Sequence, residues 1–315
     1  MAKPLPSDWF LRSRLKMRHV LLLAAIDEQK SLHKAAAALH MTQPAATRLL
    51  GDLEATLDLR LFDRNTRGLT PTAHGASLIR HARLMLGTLD HARAELSAIS
   101  DGAAGRIVMG TLLVVAPVLV PQALAVFKRA NPRVTVEVQE GTLAALLPQL
   151  TRGEIDLVVG RLTSDFDSEG LRFEACYAEP MCVVVGRSHP LAGKVGLKLA
   201  DLAAESWILP TPETAYRARI DAAFRQEGVE PPRELVESVS ILTNTMLLQE
   251  TTMLGVLPYN VARHYVAAGS VAVLDVALPP PSGPVGLITR AGPLSNPALG
   301  PLLDAVREVA ARMAR

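Results

Sequence analysis

Gln43, Thr47 and Arg48 are the side chains in this sequence best placed to act on another molecule. A glutamine amide near the start of a helix can pair bidentately with the edge of an adenine. Thr47, four residues on, shares that face and offers a hydroxyl or a methyl. Arg48 can reach a phosphate or a guanine. The same three residues also suit a plain solvated helix surface, so the choice depends on the elements that carry them. Ser31 and Thr42 are helix caps by type and position, and a capped helix N-terminus also takes a phosphate, so both roles can hold together. Pro44 is tolerated in the first helical turn and belongs to the same contacting segment. Arg64 and Arg67 flank a short turn and are candidates for phosphate or minor-groove contact, or are simply exposed turn charges.

Catalytic patterns are missing from the sequence. There is no Gly-x-Ser-x-Gly, HExxH or Walker A run, the eight histidines are scattered, and the carboxylates form no obvious pair. We therefore expect no enzyme, no cofactor and no metal. Cys176 and Cys182 are too few for a disulfide framework and have no zinc-site setting. A redox sensor using this pair is an alternative, but their apolar strand context favours inert buried thiols. Two cysteines fit a reducing cytoplasm, and the N-terminus lacks the apolar core of a secretory signal. Residues 107–127 run without a charge and are long enough to span a bilayer. Gly110, Pro117, Pro121 and Gln122 interrupt them, so a buried strand, loop and helix is expected rather than a membrane span.

The elements that position the polar set follow from periodicity. Leu15 to Gln29 keeps apolar residues at helical spacing, with Leu15, Leu22, Ala25 and Ile26 on one side. Ser31 can cap a second helix over 32–39, whose inner side is almost pure Ala and Leu and permits a close crossing. His40-Met41 makes a short turn, and Thr42 can cap a third helix over 43–57. Three helices with short joints match a helix-turn-helix. Residues 60–71 then read as a hairpin wing with Asn65-Thr66-Arg67-Gly68 at its tip. From Thr72 to Ile99 a long helix carries one apolar stripe, Leu78, Met85, Leu89, Ala92 and Leu96, which needs a partner helix. Charge supports the division. Residues 1–71 hold 11 Lys/Arg against 7 Asp/Glu, a net of +4, while the rest holds 22 against 24, a net of −2. A basic front on a slightly acidic body suits a polyanion at one end.

After the break at 101–105 the pattern alternates strand and helix. Strands are expected over 106–115, 134–140, 155–160, 171–178, 181–186, 207–209, 256–257 and 271–276. Helices are expected over 117–130, 143–152, 215–227, 243–252 and 301–312. Such alternation predicts an α/β sheet with parallel strands, and about 210 residues of it predicts two subdomains with a cleft. Ligands in such folds lie outside the carboxyl ends of strands. That places Thr111-Leu112, Gly141-Thr142, Gly160-Arg161 and the 209–212 loop in view.

Ser31 to Leu39 (SLHKAAAAL), with Thr42-Gln43-Pro44-Ala45, resembles the LysR-type transcriptional regulators. Leu61-Phe62-Asp63-Arg64 and Leu69-Thr70-Pro71-Thr72 fit that family's wing. Gly105-Arg106-Ile107 fits the opening of its effector domain, and Gly153 to Leu157 the run before its third strand. The resemblance covers nearly all 315 residues in order. The stretch from Trp9 to Lys16 is similar to a branch that includes regulators of sugar-binding-protein genes and of aromatic-acid breakdown. His74, where small residues or proline are common, departs from the pattern, and Thr211-Pro212-Glu213-Thr214 matches no single ligand.

The resemblance implies a winged helix-turn-helix DNA-binding domain (1–71), a linker and dimerisation helix (72–100) and a two-lobed α/β effector domain like a periplasmic binding protein (101–315). It implies a double-stranded DNA operator, a small-molecule effector, contact with RNA polymerase, and a homodimer assembling to a homotetramer. It tips Gln43, Thr47 and Arg48 toward DNA contact. In the cleft it implies Thr111, Leu112, Thr142, Arg161, Thr211 and Pro212 as effector contacts. An arginine there favours a carboxylate or phosphate ligand, aromatic or sugar-derived; the competing use of Arg161 is a salt bridge to Asp165 or Asp167. A solute-binding protein without DNA activity is a further alternative, disfavoured by the basic, cap-rich front of the chain.

Overall fold

The fold is taken from a computed structural model, which describes residues 14–65, 68–100, 104–162, 170–292, 294 and 296–314. The chain divides into two compact units, Met1–Asp101 with Pro148–Glu154 and Gly102–Leu147 with Ile155–Arg315.

The first unit opens with α1 (Met17–Gln29), α2 (Leu32–Ala38) and α3 (Gln43–Leu57). Their core is Leu22, Leu23, Ile26, Ala35, Ala36, Leu50 and Leu53, all nearly inaccessible. Alanine at 35 and 36 leaves room for the helices to cross closely, and both methyls are fully covered. The joints are tight. Lys30, His40 and Asp58, each following a helix, take left-handed φ values of 51°, 54° and 53°, a conformation that ends a helix abruptly and is more often given to glycine. A hairpin follows, β1 (Phe62–Asn65) and β2 (Gly68–Pro71), with register from Phe62↔Pro71 to Asn65↔Gly68. Glu54 on α3 fixes its root: one carboxylate oxygen accepts from the N–H of Leu61 at 2.6 Å and of Phe62 at 3.2 Å. Thr72 caps α4 (Ala73–Ser100), accepting from Gly75 N at 3.1 Å while its hydroxyl lies 2.8 Å from the Arg60 carbonyl. Gly75 is required there, since a Cβ at that position would sit 1.9 Å from the Leu61 carbonyl oxygen. Along α4, Ile79 and Ala82 are buried, while Met85, Leu89 and Leu96 are exposed.

The second unit holds two five-stranded sheets. In chain order its elements are β3 (Arg106–Thr111), α5 (Leu119–Ala130), β4 (Thr135–Glu140), α6 (Leu143–Arg152, whose residues from Pro148 on are grouped with the first unit), β5 (Leu157–Arg161), β6 (Leu171–Tyr177) and β7 (Met181–Gly186). There follow β8 (Trp207–Leu209), α7 (Ala215–Gln226), β9 (Leu235–Glu237), α8 (Ile241–Glu250), β10 (Leu254–Pro258), α9 (Tyr259–Ala267), β11 (Val271–Val273), β12 (Val285–Arg290) and α10 (Leu299–Met313). One sheet runs β4-β3-β5-β12-β6, the other β11-β7-β10-β8-β9. The uncharged run 107–127 folds as β3, a turn and α5, and no helix among the described residues is long and apolar enough to cross a membrane. Packed against the first sheet, Ile107, Met109, Phe127, Leu157, Leu302 and Val306 form one core. In the second, Trp207 meets Phe224 edge-on at 5.6 Å between centroids, and the indole N–H donates to the Leu202 carbonyl at 2.9 Å. Buried Asp156 accepts from Val108 N at 2.8 Å and ties β5 to β3.

The sheets are mixed, not parallel throughout. β3 pairs in parallel with β4 and β5, and β8 with β9 and β10, but β12 runs antiparallel to β5 and β6, and β7 antiparallel to β10 and β11. The reason is the double crossing. β7 and β12 are each delivered from the other sheet by a crossover, 178–180 and 274–284, not by a helix packed on their own sheet, so the βαβ rule does not set their direction. Other bounds also move. β3 ends at Thr111 instead of running on to 115, because 112–118 turn. α5 starts at Leu119, past Pro117. β9, α9 and β12 were not expected from the pattern; α9 follows β10 directly, with Pro258 as its N-cap, and β12 follows a Pro-rich run that reads as loop.

Candidate functional site

Two places in the chain collect the polar residues singled out above. The first is α3 with its approach. Leu49, Leu50, Leu53 and Leu57 bury one side of the helix, which turns Gln43, Pro44 and Arg48 outward, all exposed, with Thr47 half-buried between them. Ser31 Oγ accepts from Lys34 N at 3.4 Å and Thr42 Oγ1 from Ala45 N at 3.4 Å, so both residues cap their helices and leave other N-terminal N–H groups facing outward. Helix α3 therefore presents an amide with no partner among the described residues, a hydroxyl and a guanidinium beside two capped helix starts. Arg64 lies on β1, where it pairs with Leu69; Arg67 lies outside the described residues.

The second place is at the carboxyl ends of strands in the second unit. Thr111 ends β3, Gly141-Thr142 follow β4 and Arg161 ends β5. These three strands are neighbours in the order β4-β3-β5, and the segments are stitched by Gly141 N to the Thr111 carbonyl (3.1 Å) and Leu112 N to the Val159 carbonyl (3.1 Å). Thr111 is fully buried, its hydroxyl 3.4 Å from the Leu112 carbonyl. Leu112 is half-buried, and its side chain leans on the Gly160 backbone, where a Cβ would come within 2.5 Å of it. Thr142 is exposed and caps α6, accepting from Ala145 N at 3.3 Å. Thr211, half-buried, and exposed Pro212 follow β8 in the other sheet.

Arg161 is the chemically distinctive member. Burial pulls its pKa below the ordinary guanidinium value, against the opposing fields of Glu179, Tyr216 and Tyr177. It donates through Nη2 to the Glu179 carbonyl, while its buried Nε has no partner among the described residues. A buried N–H without an acceptor costs about 1–3 kcal/mol, and an anion would relieve that cost. Asp165 and Asp167, the competing partners, lie outside the described residues. Arg161 is thus brought to Tyr216 of α7 and to the first crossover, neighbours that spacing along the chain did not suggest.

Sequence reasoning also missed three supports. The buried Glu179 carboxylate accepts from Asn260 N and Asn260 Nδ2, both at 2.9 Å. Tyr216 donates to the Pro279 carbonyl at 3.1 Å, and burial pushes its pKa up. Arg217, almost fully buried, donates to Asp221 at 2.9 Å, Glu237 at 3.0 Å and the Pro210 carbonyl at 3.1 Å, holding the 209–212 loop. The one available signal was an arginine and a tyrosine in the first turn of a helix beside that loop.

The two cysteines belong to different cores. Cys176 packs against the core of the first sheet and Cys182 inside a cluster of the second. Burial raises both thiols, Cys182 to about 12, whereas reactive cysteines are held low.

Comparisons with known proteins agree over nearly the whole chain. Residues 17–76 match the bacterial regulatory helix-turn-helix model of the lysR family, and residues 100–311 match the LysR substrate binding domain. The regulator GbpR of Azospirillum brasilense is 36% identical over 271 residues, 85% of this chain and 79% of its own. The regulator PcaQ of Agrobacterium fabrum is 32% identical over 301 residues, 95% of this chain and 96% of its own. Among solved structures, a full-length OxyR variant from Pseudomonas aeruginosa aligns with a TM-score of 0.59 at 22% identity, covering 93% of this chain and 97% of its own. Full-length CbnR in complex with its target DNA aligns at 0.55 and 23% identity, covering 94% and 99%.

Proposed function

The chain belongs to the LysR family of DNA-binding transcriptional regulators with an effector-binding domain, and from that premise we propose how it reads DNA and what it senses. Residues 1–71 form the DNA-binding domain, 72–100 the linker and dimerisation helix, and 101–315 the effector domain. Helix α3 lodges in the major groove with Gln43, Thr47 and Arg48 toward base edges. Ser31, Thr42 and Pro44 lie at the phosphates, and Arg64 and Arg67 of the hairpin reach the flanking backbone. The exposed apolar residues of α4, Met85, Leu89 and Leu96, are covered by the same helix of a second copy, and dimers assemble into a tetramer. CbnR, bound to its target DNA in a solved structure, is the precedent for the docking.

The effector is a small carboxylate, aromatic or sugar-derived, held by Arg161 with Thr111, Leu112, Thr142, Thr211 and Pro212 around it. The observation that carries this is the buried Nε of Arg161 with no acceptor among the described residues. The regulator works in the cytoplasm, and the ligand changes how dimers sit on the operator and meet RNA polymerase. It can do so only through different affinities for the two assemblies.

The DNA-reading part is tested with DNA from upstream of the protein's own gene, by fluorescence anisotropy over a salt series. Gln43→Ala and Arg48→Ala each weaken binding by about 1–3 kcal/mol and leave the melting temperature unchanged, because both side chains are exposed. Wild-type affinity in both variants removes α3 from the groove.

A further inference from the structure

Beside the two crossovers that join the sheets of the second unit lies a half-open cavity of about 710 Å³. Its size is that of a small-ligand pocket. Arg161 does not line it, nor do the threonines of the strand ends. One wall is the first crossover at Glu179 and Met181, and another is the proline run 279–281 of the second crossover. The first turns of α9 supply Tyr259, Asn260 and Arg263, and Met313 of α10 closes one end.

The lining selects a chemical class. Proline rings, methionines and a tyrosine face supply apolar contact on rigid backbone, because proline fixes its own φ. The Glu179 carboxylate is already spent, both oxygens taking N–H groups of Asn260, and the Arg161 charge faces it from outside the cavity. Arg263 is the open charge. It is exposed, its guanidinium carbon stands 5.9 Å from the centroid of the Tyr259 ring, and no carboxylate among the described residues pairs with it. A guanidinium stacked on an aromatic ring at the rim of an apolar cavity fits a planar amphipathic anion.

We infer that this cavity is a second ligand site, distinct from the cleft at Arg161, and that it takes an aromatic carboxylate with its acid group on Arg263. The two sites share walls. Arg161 and Arg219 donate to the carbonyls of Glu179 and Pro280, and Tyr216 to that of Pro279, so both crossovers that line the cavity are also gripped from outside it. The inference does not need the Arg161 reading to hold, because it rests on the cavity's own residues.

The probe is 4-bromobenzoate on the full chain. In soaked crystals an anomalous bromine peak is expected in the cavity, present in wild type, in Arg161→Ala and in Arg263→Lys, and lost in Arg263→Glu. In solution, calorimetric titration of Arg161→Ala is expected to show remaining binding, weakened about ten-fold or more when Arg263→Glu is added. No peak in the cavity of wild type, a peak that survives Arg263→Glu, or no binding by Arg161→Ala each overturns the second site. No peak beside Arg161 in wild type, with the cavity peak present, counts against the cleft reading alone.

Discussion

Arg161→Met separates a ligand-binding role for this arginine from a structural one, because the two predict opposite pairs of results. The replacement keeps most of the volume and removes the donors. In the ligand-free chain it gives up the charge-assisted bond from Nη2 to the Glu179 carbonyl, worth about 1.5–3 kcal/mol. It also removes a buried N–H without an acceptor, which costs about 1–3 kcal/mol to keep. These changes oppose each other, so the ligand-free melting temperature moves little. With a carboxylate bound, no such cancellation operates, and losing the ion-paired donors costs about 1.5–3 kcal/mol, or roughly 10- to 150-fold in Kd. The assay is a thermal-shift screen of aromatic and sugar acids, with Arg263→Glu present both in the reference protein and in the Arg161→Met variant so that the cavity beside the crossovers does not contribute. A ligand present at 100 times its wild-type Kd stabilises by about 2.7 kcal/mol, and a 100-fold loss of affinity leaves about 0.4 kcal/mol. Operator binding without ligand stays at the wild-type level. An unchanged ligand shift in Arg161→Met refutes the carboxylate site. A ligand-free melting temperature that falls as far as the ligand response shows instead that Arg161 is a structural tie for the crossover.

Other perturbations test the DNA-binding unit. Glu54→Ala deprives the Leu61 and Phe62 N–H groups of their acceptor, costing about 1–3 kcal/mol in chemical denaturation and speeding hydrogen exchange at those two amides; Glu54→Gln, which keeps an acceptor, retains most of the protection. Gly75→Ala drives a Cβ into the Leu61 carbonyl and lowers stability by at least about 1–3 kcal/mol, with operator affinity falling alongside it; a melting curve at the wild-type position would mean that the hairpin root yields freely. His19 is held neutral, its Nδ1 accepting from Lys16 N at 3.1 Å, and burial, then Arg18 and Lys16, lower its pKa. The unfolded chain therefore takes up the proton first, so this stability is present above about pH 6.5 and is lost as pH falls through the folded value. Melting between pH 8 and 5 should show it, and His19→Gln should flatten that part of the curve; an unchanged slope would assign it to another group.

The DNA-binding unit was legible in the sequence because its signals are local. Caps, the three/four spacing of leucines and a pair of buried alanines lie within a few residues of the elements they define, and α3 begins and ends where the pattern placed it. Strands were legible where they are apolar and bounded, as at 181–186 and 207–209. Strand direction was not. Alternation of strand and helix predicts a parallel sheet only if each strand follows a helix on the same sheet, and the crossovers at 178–180 and 274–284 break that condition. Residues 285–290 lie beyond three prolines, Ser282, Gly283 and Pro284; their pairing with two distant strands, β5 and β6, makes them a strand and outweighs the local turn signal.

The same distinction explains which parts of the candidate ligand site could be read. Thr111, Thr142 and Arg161 come from one rule, that ligands gather at the carboxyl ends of strands, and the neighbouring order of β4, β3 and β5 places their segments side by side. The rule does not reach Glu179, Tyr216 or Arg217, because what they hold is backbone. Each grips or carries a carbonyl of a crossover or of the 209–212 loop, and a carbonyl has no letter in the sequence. Arg161 belongs to both groups: it is a strand-end cation and also a donor to the Glu179 carbonyl. An anion that engages its Nε, unpartnered among the described residues, competes for the same guanidinium that holds the first crossover, so ligand and crossover cannot be independent. Along the chain the two sheets are joined through 178–180 and 274–284, and the segment that Arg161 grips is one of these two connections. A charge bound at the end of β5 is therefore coupled to the joint between the sheets by a single side chain, with no longer chain of contacts required.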